Sequence, residues 1–595
     1  MLQPKAETVF EVSWEICNKV GGIYTVIVSK AELMKSNYKN YFAIGPYFKD
    51  KAQLGFEETS PPQAFKDAFK KMEEQGIKCH YGRWLIKGDP NCILIESAAW
   101  FKRRDEFRKN LWEYFKVDTL LAGYDYDEPM VWSMAVGELL LNLQDAYPNA
   151  VAHFHEWLAG NAILYLKMME AKIATVFTTH ATMLGRSMCG SGMNLYENLE
   201  KLDPEPQARA LKVIDKFSTE RACANNADVF TTVSEITGLE AEKMFGKKPD
   251  VLVYNGLDQN KFPSFEEAMI RHRISREIIR EYITYHFFPY YFFEIDHSLI
   301  YFIVARNEFK NKGLDVMIEA LAKMNQKMKE EKTNRTVVVF FWIPRQTFGI
   351  RIELLENKTF YRQIEYSVDS FAPHIKKKII SSILSQNKLK LDNLMPDEFK
   401  MLNKKLFMHF KREGNPPILT HYVSDEYNDE ILNSLKANGL DNSADDPVKV
   451  IYNPIYLDGA DGLINLNYYD ALAGCHMGIF PSYYEPWGYT PLECMSFGVP
   501  AVTTDQAGFG RYISGHLLSE KPEDEGIFIL ERMNKEHKEV TEKLYEILHN
   551  YALRKRSDRV INKINAKKLA AVTDWKDFID NYIKAHNLAY VRHFS

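Results

Sequence analysis

At 595 residues the chain exceeds what one hydrophobic core organises, so two large domains with insertions are expected. A composition of 46% hydrophobic and 26% charged residues is that of a soluble globular protein, and a formal net charge of −5 argues against nucleic acid as the main partner. The longest apolar runs, 299–305 and 337–343, are strand-length and too short to cross a bilayer, so no membrane partner is expected.

Strands are predicted at 9–12, 41–44, 92–95, 150–154, 175–178, 229–233 and 251–253, and again at 300–304, 337–341, 449–451, 477–480, 501–503 and 527–530. Amphipathic helical stretches separate them, which implies an α/β protein with two doubly wound, Rossmann-like parallel sheets facing a cleft. Ligands should then bind at the carboxyl ends of the strands lining that cleft. The division expected is 1–262 for the first domain, 263–295 for a connecting segment, 296–560 for the second domain and 561–595 for a helical C-terminal return. Residues 353–433 are polar, Lys-rich and helical in period. They read as an insertion that packs on another subunit or as a solvated helical hairpin. The seven cysteines form no C-x-x-C pair and most sit in apolar contexts, as reduced core thiols do. With no basic and then apolar stretch at the start, a cytoplasmic location is expected.

Candidate chemistry follows several strands. Asn18-Lys-Val-Gly-Gly-Ile-Tyr-Thr-Val26 sets Gly21 and Gly22 for close approach to a phosphate, with Lys19 as a point charge. It is not a G-x-G-x-x-G fingerprint, so dinucleotide binding is not expected. In His153-Phe-His-Glu-Trp157, alternation puts His153 and His155 on one face, but spacing supplies no third ligand. No metal is therefore expected; His153 reads as packed and Glu156 as pointing into the cleft. In Thr178-Thr-His-Ala-Thr-Met-Leu-Gly-Arg186, His180 and Arg186 suit a sugar or phosphate, and a structural histidine fits His180 equally. Arg306 and Lys312, in Ala305-Arg-Asn-Glu-Phe-Lys-Asn-Lys-Gly-Leu-Asp315, follow a strand end, where two cations suit a diphosphate leaving group, and an ordinary solvated basic loop fits equally.

The segment 482–504 carries the densest signal. Thr490 reads as a helix N-cap, Pro491 as the first helical residue, Glu493 as the capping-box partner and Gly498 as the stop. Glu485 and Glu493 could form a glycosidase pair. A capping role for Glu493 weakens that reading: it leaves Glu485, beside Trp487, to meet a sugar and Glu493 to accept from a ribose.

These stretches, with Phe230-Thr-Thr-Val-Ser-Glu-Ile-Thr237 and Phe480-Pro-Ser-Tyr-Tyr-Glu-Pro-Trp-Gly-Tyr-Thr-Pro491, closely resemble the glycogen synthase family of the animal and fungal type across nearly the whole chain. The resemblance implies the two-domain GT-B fold. It also implies transfer of glucose from UDP-glucose to the 4-hydroxyl of an α-1,4-glucan end, with retention and without metal or cofactor. By position, Arg306 and Lys312 would neutralise the diphosphate, and Lys19, Gly21 and Gly22 would meet the nucleotide. Glu485, Trp487, Gly488, Tyr489 and Thr490 would hold the donor, with Glu493 at the ribose. His180 and Arg186 would face it from the other wall, with Glu156 at the acceptor. The catalytic set expected is Glu485, Arg306, Lys312 and His180.

The family's glucose 6-phosphate helix matches 554–568, where Arg556, Arg559, Lys563 and Lys567 keep one stripe, together with Glu267, Arg276 and His476. Ser557, Asp558, Asn562 and Asn565 thin that charge, so weak or absent activation is expected. The resemblance further implies a homotetramer built on the insertion, and as partners glycogen and a priming protein such as glycogenin. The rival reading is a non-catalytic glucan-binding scaffold of the same fold.

Overall fold

The computed structural model describes residues 2–385, 394–519 and 521–595. The first sheet contains β1 (Thr8–Val12), β2 (Asn40–Pro46), β3 (Phe56–Glu58), β4 (Lys78–Trp84), β5 (Asn91–Glu96), β6 (Val151–His155), β7 (Ala174–Thr179), β8 (Val229–Thr232) and β9 (Val251–Leu252). Its order is β3-β4-β5-β2-β1-β6-β7-β8-β9, parallel except where β4 meets β3 and β5. The helices that matter for the site are α1 (Gly22–Asn37), α2 (Glu156–Met168), α3 (Met183–Gly190), α4 (Ile214–Asn226) and α5 (Glu235–Phe245). β1, β2, β6 and β7 are buried almost throughout, as strands covered on both faces must be.

A long helix, α6 (Phe265–Phe287), then lays Ile279, Tyr282 and Ile283 into the core of the second sheet, where Tyr282 meets Phe340. That sheet joins β10 (Leu299–Val304), β11 (Val337–Trp342), β14 (Val448–Asn453), β15 (Met477–Ile479), β16 (Ala501–Thr504) and β17 (Ile527–Leu530). The order is β14-β11-β10-β15-β16-β17, all parallel. β10 leads into α7 (Leu314–Glu330), and β15 leads into α10 (Tyr489–Ser496) after the intervening turn. The insertion holds α8 (Ile352–Leu384) and α9 (Asp397–Phe410), with an antiparallel pair at its base, β12 (Thr347–Ile350) and β13 (His421–Val423).

Two further helices, α11 (Arg556–Ala570) and α12 (Trp575–Phe594), end the chain. Helix α12 returns to the first sheet: Trp575 Nε1 donates to Ser29 Oγ at 2.8 Å, and His586 lies between Tyr38 and His153. The two crossings between the sheets run side by side. Leu257 N donates to Thr573 O at 3.1 Å, and Trp575 N donates to Leu257 O at 3.2 Å.

Every strand expected from the sequence forms. The sequence reading missed β3, β4, β12 and β13, which lie in antiparallel pairings and carry polar residues in place of a continuous apolar run. No described helix is long and apolar enough to cross a membrane.

Candidate active site

Buried carboxylates shape the first wall of the cleft. The loop after β7 carries His180 and Arg186, and its backbone is held from behind. Glu156 Oε1 accepts from the amides of His180 at 2.8 Å and Ala181 at 3.1 Å, and Glu220 Oε2 accepts from Met183 N at 2.9 Å. Glu240 accepts from Thr182 Oγ1 at 2.6 Å and from the Tyr196 hydroxyl at 3.0 Å. Burial pushes the Glu156 and Glu240 carboxyls up to about 7, and Glu220 well above the usual carboxylate range. Burial opposes the charge of Arg186, but Glu156, Tyr484, Glu220 and Glu308 outweigh it and hold the guanidinium protonated.

Two expectations for this wall need correction. Glu156 does not point into the cleft; it is 6% exposed, takes a left-handed φ of 65° and turns back to bond the His180 loop. The phosphate turn at Gly21 and Gly22 already holds an anion of the chain itself. Glu15 Oε2 accepts from Gly21 N at 2.9 Å and Tyr24 N at 2.8 Å, at the positive start of α1. Lys19 is exposed, 5.9 Å from the Tyr24 ring centroid.

The second wall is built from two loops. Gly313, at φ 67°, lets the 305–313 loop approach the end of β15 so closely that a Cβ would lie 1.9 Å from Pro481 O. Asn311 O accepts from Tyr483 N at 2.9 Å, which seats the 482–488 turn on the same loop. The Lys312 ammonium then pairs with Glu485 Oε2 at 2.5 Å, whereas Arg306 pairs with Glu308 at 3.1 Å and stays 71% exposed. Gly508 N donates to Glu485 O and Phe509 N to Trp487 O, so the turn is fixed along its backbone.

The cap expected at Thr490 is not formed. Gly488, at φ 110°, is the N-cap of α10; Thr490 lies inside the helix with Pro491 after it, and no side chain caps the first turn. Glu493 is no capping-box residue either: its two oxygens accept from the hydroxyls of Tyr468 at 2.8 Å and Tyr469 at 3.0 Å, and burial raises it to about 7. Trp487, expected against the sugar, is 3% exposed and packs on Tyr254, Phe509, Tyr512 and Phe578 near the crossing. Tyr489 buries its hydroxyl without a partner.

The walls meet. The Tyr483 hydroxyl donates to Glu197 at 2.6 Å, and that of Tyr484 reaches Glu240 at 3.4 Å. A Cβ on Gly508 would lie 2.5 Å from Cβ of Ser234, the N-cap of α5. The loop after β7, with His180 and Arg186, thus lies at the carboxyl end of the first sheet, and the loops with Arg306, Lys312 and Glu485 at the carboxyl end of the second; Tyr484 and Glu308 from the second act on the Arg186 charge. An uncapped helix start, the Lys312–Glu485 pair and the exposed Arg306 after the same strand suit an anionic leaving group attached to a hydroxylated ligand.

The glycogen synthase family model matches residues 11–595. The chain belongs to the glycogen synthase family. It is 35% identical over 591 residues to the liver glycogen [starch] synthase of Mus musculus, covering 98% of this chain and 83% of that protein. Isoform 2 of the glycogen [starch] synthase of Saccharomyces cerevisiae is 36% identical over 603 residues, covering 98% of this chain and 86% of the relative. Among solved structures, the catalytic domain of starch synthase IV from Arabidopsis thaliana, bound to ADP and acarbose, superposes with a TM-score of 0.51 at 13% identity, covering 98% of this chain and 99% of that one. The fold is that of the GT-B glycosyltransferases to which such synthases belong.

A second group of this family member lies away from the cleft. His272, Arg276, His476, Arg559 and Lys563 gather where α6 and α11 meet the second sheet. Much of the expected set already has a partner within the chain. Glu267 forms the capping box of α6 with Ser264, and His476 Nδ1 accepts from Ile300 N at 3.0 Å. Arg559 donates to Arg554 O, and Lys567 donates to Ser496 O at 2.6 Å, tying α11 to the end of α10. Asn562 and Asn565, which thin the stripe, bond backbone carbonyls of 523–525. Lys563 is buried among cations, and burial, then Arg276 and Arg559, lowers it to about 7.

The sequence reading missed Glu11, Glu15, Lys30, Glu220 and Glu240. The signal available was a charged residue inside an otherwise apolar stretch, as for Glu11 between Phe10 and Val12. Ligand atoms of Glu11, His153 and His155 lie within 4.8 Å of one another, yet Lys30 already donates to that Glu11 oxygen and both nitrogens of each ring are hydrogen-bonded. Each of these ligand atoms is thus already engaged in a hydrogen bond within the chain.

Proposed function

We propose that the protein elongates glycogen, transferring glucose from UDP-glucose to the non-reducing 4-hydroxyl end of an α-1,4-glucan with retention of configuration and without a metal ion. The observation that carries this reading is the Lys312–Glu485 pair, on the loop after β10 and the turn that leads to the uncapped start of α10. When the diphosphate enters, the Lys312 ammonium has a stronger anion to face, and Glu485 is released toward a sugar hydroxyl. Charge grows on the leaving phosphate as the glycosidic bond breaks, and the fixed cations stabilise it most at that stage. His180 and Arg186 supply hydrogen bonds from the opposite wall. Glu156, Trp487 and Glu493 shape the cleft from behind, and Tyr489, Thr490 and Gly488 set the helix start against the donor.

The test is release of UDP from UDP-glucose in the presence of glycogen, repeated with ADP-glucose and with a chelator. Glucan extension that survives chelation is expected; the absence of any UDP release would favour a non-catalytic scaffold. Glu485→Ala and Arg306→Ala proteins that fold normally and extend glucan at the parental rate would sink the assignment.

Regulation and assembly complete the proposal. Activation by glucose 6-phosphate is weak or absent, because Glu267, Arg559 and Lys567 already have partners within the chain. Strong saturable activation that disappears in Arg559→Ala would refute this. The hairpin of α8 and α9 carries exposed Tyr366, Ile383 and Met401, and suits assembly of a homotetramer that sedimentation can read. Glycogen and a priming protein such as glycogenin are the partners proposed, in the cytoplasm.

A further inference from the structure

His180 does not stand alone. Its Nε2 lies 2.9 Å from His155 Nδ1, and His155 Nε2 lies 2.8 Å from Glu11 Oε1. Glu11 and Lys30 are wholly buried; Lys30 donates to Oε1 and the Tyr41 hydroxyl to Oε2. Burial alone would raise the Glu11 carboxyl, but Lys30 and His155 hold it well below the usual carboxylate range, so it is ionised. An ionised carboxylate can only accept, so His155 carries its proton on Nε2. His155 and His180 are both kept neutral, chiefly by burial, with Lys30 adding repulsion to each and Arg186 to His180. Neutral His155 therefore offers a bare Nδ1, which can only accept from His180 Nε2–H. The same logic leaves His180 Nδ1 without a proton. The neighbouring His153 is not part of this line: its nitrogens pair with Thr178 at 2.6 Å and His586 at 3.0 Å.

We propose that Glu11 and His155 are positioning residues that fix His180 as the Nε2–H tautomer, so that His180 meets the substrate with a hydrogen-bond acceptor and takes a hydroxyl proton's hydrogen bond. The buried Lys30–Glu11 pair sets the direction of the whole line. This inference rests on the reading of the cleft as a nucleotide-sugar site and assigns His180 to a hydroxyl of the sugar, not to the phosphate.

The experiment compares three variants. His155→Gln keeps a donor for Glu11 but removes the acceptor beside His180. His155→Asn puts a carbonyl oxygen where Nδ1 was, and an amide needs no tautomer control. His180→Phe removes the presented group. His155→Gln is expected to lower kcat by roughly tenfold to a hundredfold with KM changed less than about twofold, and His155→Asn to restore most of it. Nitrogen-15 NMR of histidine-labelled protein, assigned with these variants, should show His180 neutral and protonated at Nε2 at pH 7. An Nδ1–H or doubly protonated His180 would overturn the proposal, as would equal losses in His155→Gln and His155→Asn. Full activity in His155→Gln with an inactive His180→Phe would refute the relay and leave the site intact. Full activity in His180→Phe would remove His180 from the site, and the relay with it.

Discussion

The two walls of the cleft hold their charges in opposite ways. On the first, Glu156, Glu220 and Glu240 lie behind the His180–Arg186 loop, buried and bonded to backbone or hydroxyl groups. On the second, Arg306 is exposed beside Glu308, and Lys312, itself mostly buried, is paired with a Glu485 that water reaches. A buried carboxylate fixes geometry and changes protonation near neutrality, because desolvation disfavours its charge. An ion pair that solvent still reaches on one side can exchange one partner for a ligand's charge, and the exposed Arg306–Glu308 pair contributes little to stability. The first wall is therefore a template and the second an exchangeable electrostatic surface.

The largest effect expected tests how the second wall is anchored. Gly313→Ala adds a Cβ 1.9 Å from Pro481 O at a φ of 67°, and should cost about 4 kcal/mol of stability, read by denaturant unfolding. A change below about 1 kcal/mol would mean the two loops are not held together there.

Lys312→Met should instead leave the fold intact and lower kcat about 10²–10³-fold, the usual loss of one charge-stabilising group. If stability fell and turnover did not, the second wall would be structural after all.

For the first wall the effect is one of pH. Glu240 rises from 4.5 to about 7 on folding because it is buried, so its contribution is fully present below pH 4.5 and is lost as pH rises to about 7. Glu240→Gln should remove about 2–3 kcal/mol of that decline, flattening the stability profile between pH 5 and 8. An unchanged profile would show that Glu240 is not held protonated.

Trp487→Phe is the smallest. The indole packs without a hydrogen bond, so about 1 kcal/mol of stability should be lost, with KM for the donor changed less than about twofold. A large rise in KM would return Trp487 to the sugar.

The alternation of apolar runs with helical stretches made both parallel sheets legible, because central parallel strands are buried on both faces and read as continuous apolar segments. The edge strand β3 and its neighbour β4 were not legible, since their polar residues interrupt the apolar pattern. In the site, the cations after β10 and the turn after β15 could be placed because loops at strand ends have a fixed location in this architecture. Partners could not be placed. Ser and Thr preferences suggested Thr490 as a cap, but the left-handed Gly488 starts the helix two residues' space earlier, and the tyrosines that bind Glu493 arrive from a helix more than twenty positions away in sequence.

Periodicity thus determined, from the sequence alone, the fold class and the strands of both parallel sheets. The tertiary structure decided which charges are buried and which are free: Glu156 turned inward, Glu15 at the start of α1, Glu11 locked to Lys30, and Trp487 in the core at the crossing. The physical reason is distance along the chain. Helix caps and strand runs are set by neighbours a few residues apart, whereas the protonation and direction of a buried group depend on atoms brought in from other strands and helices, such as His586 and Lys30 beneath the same sheet.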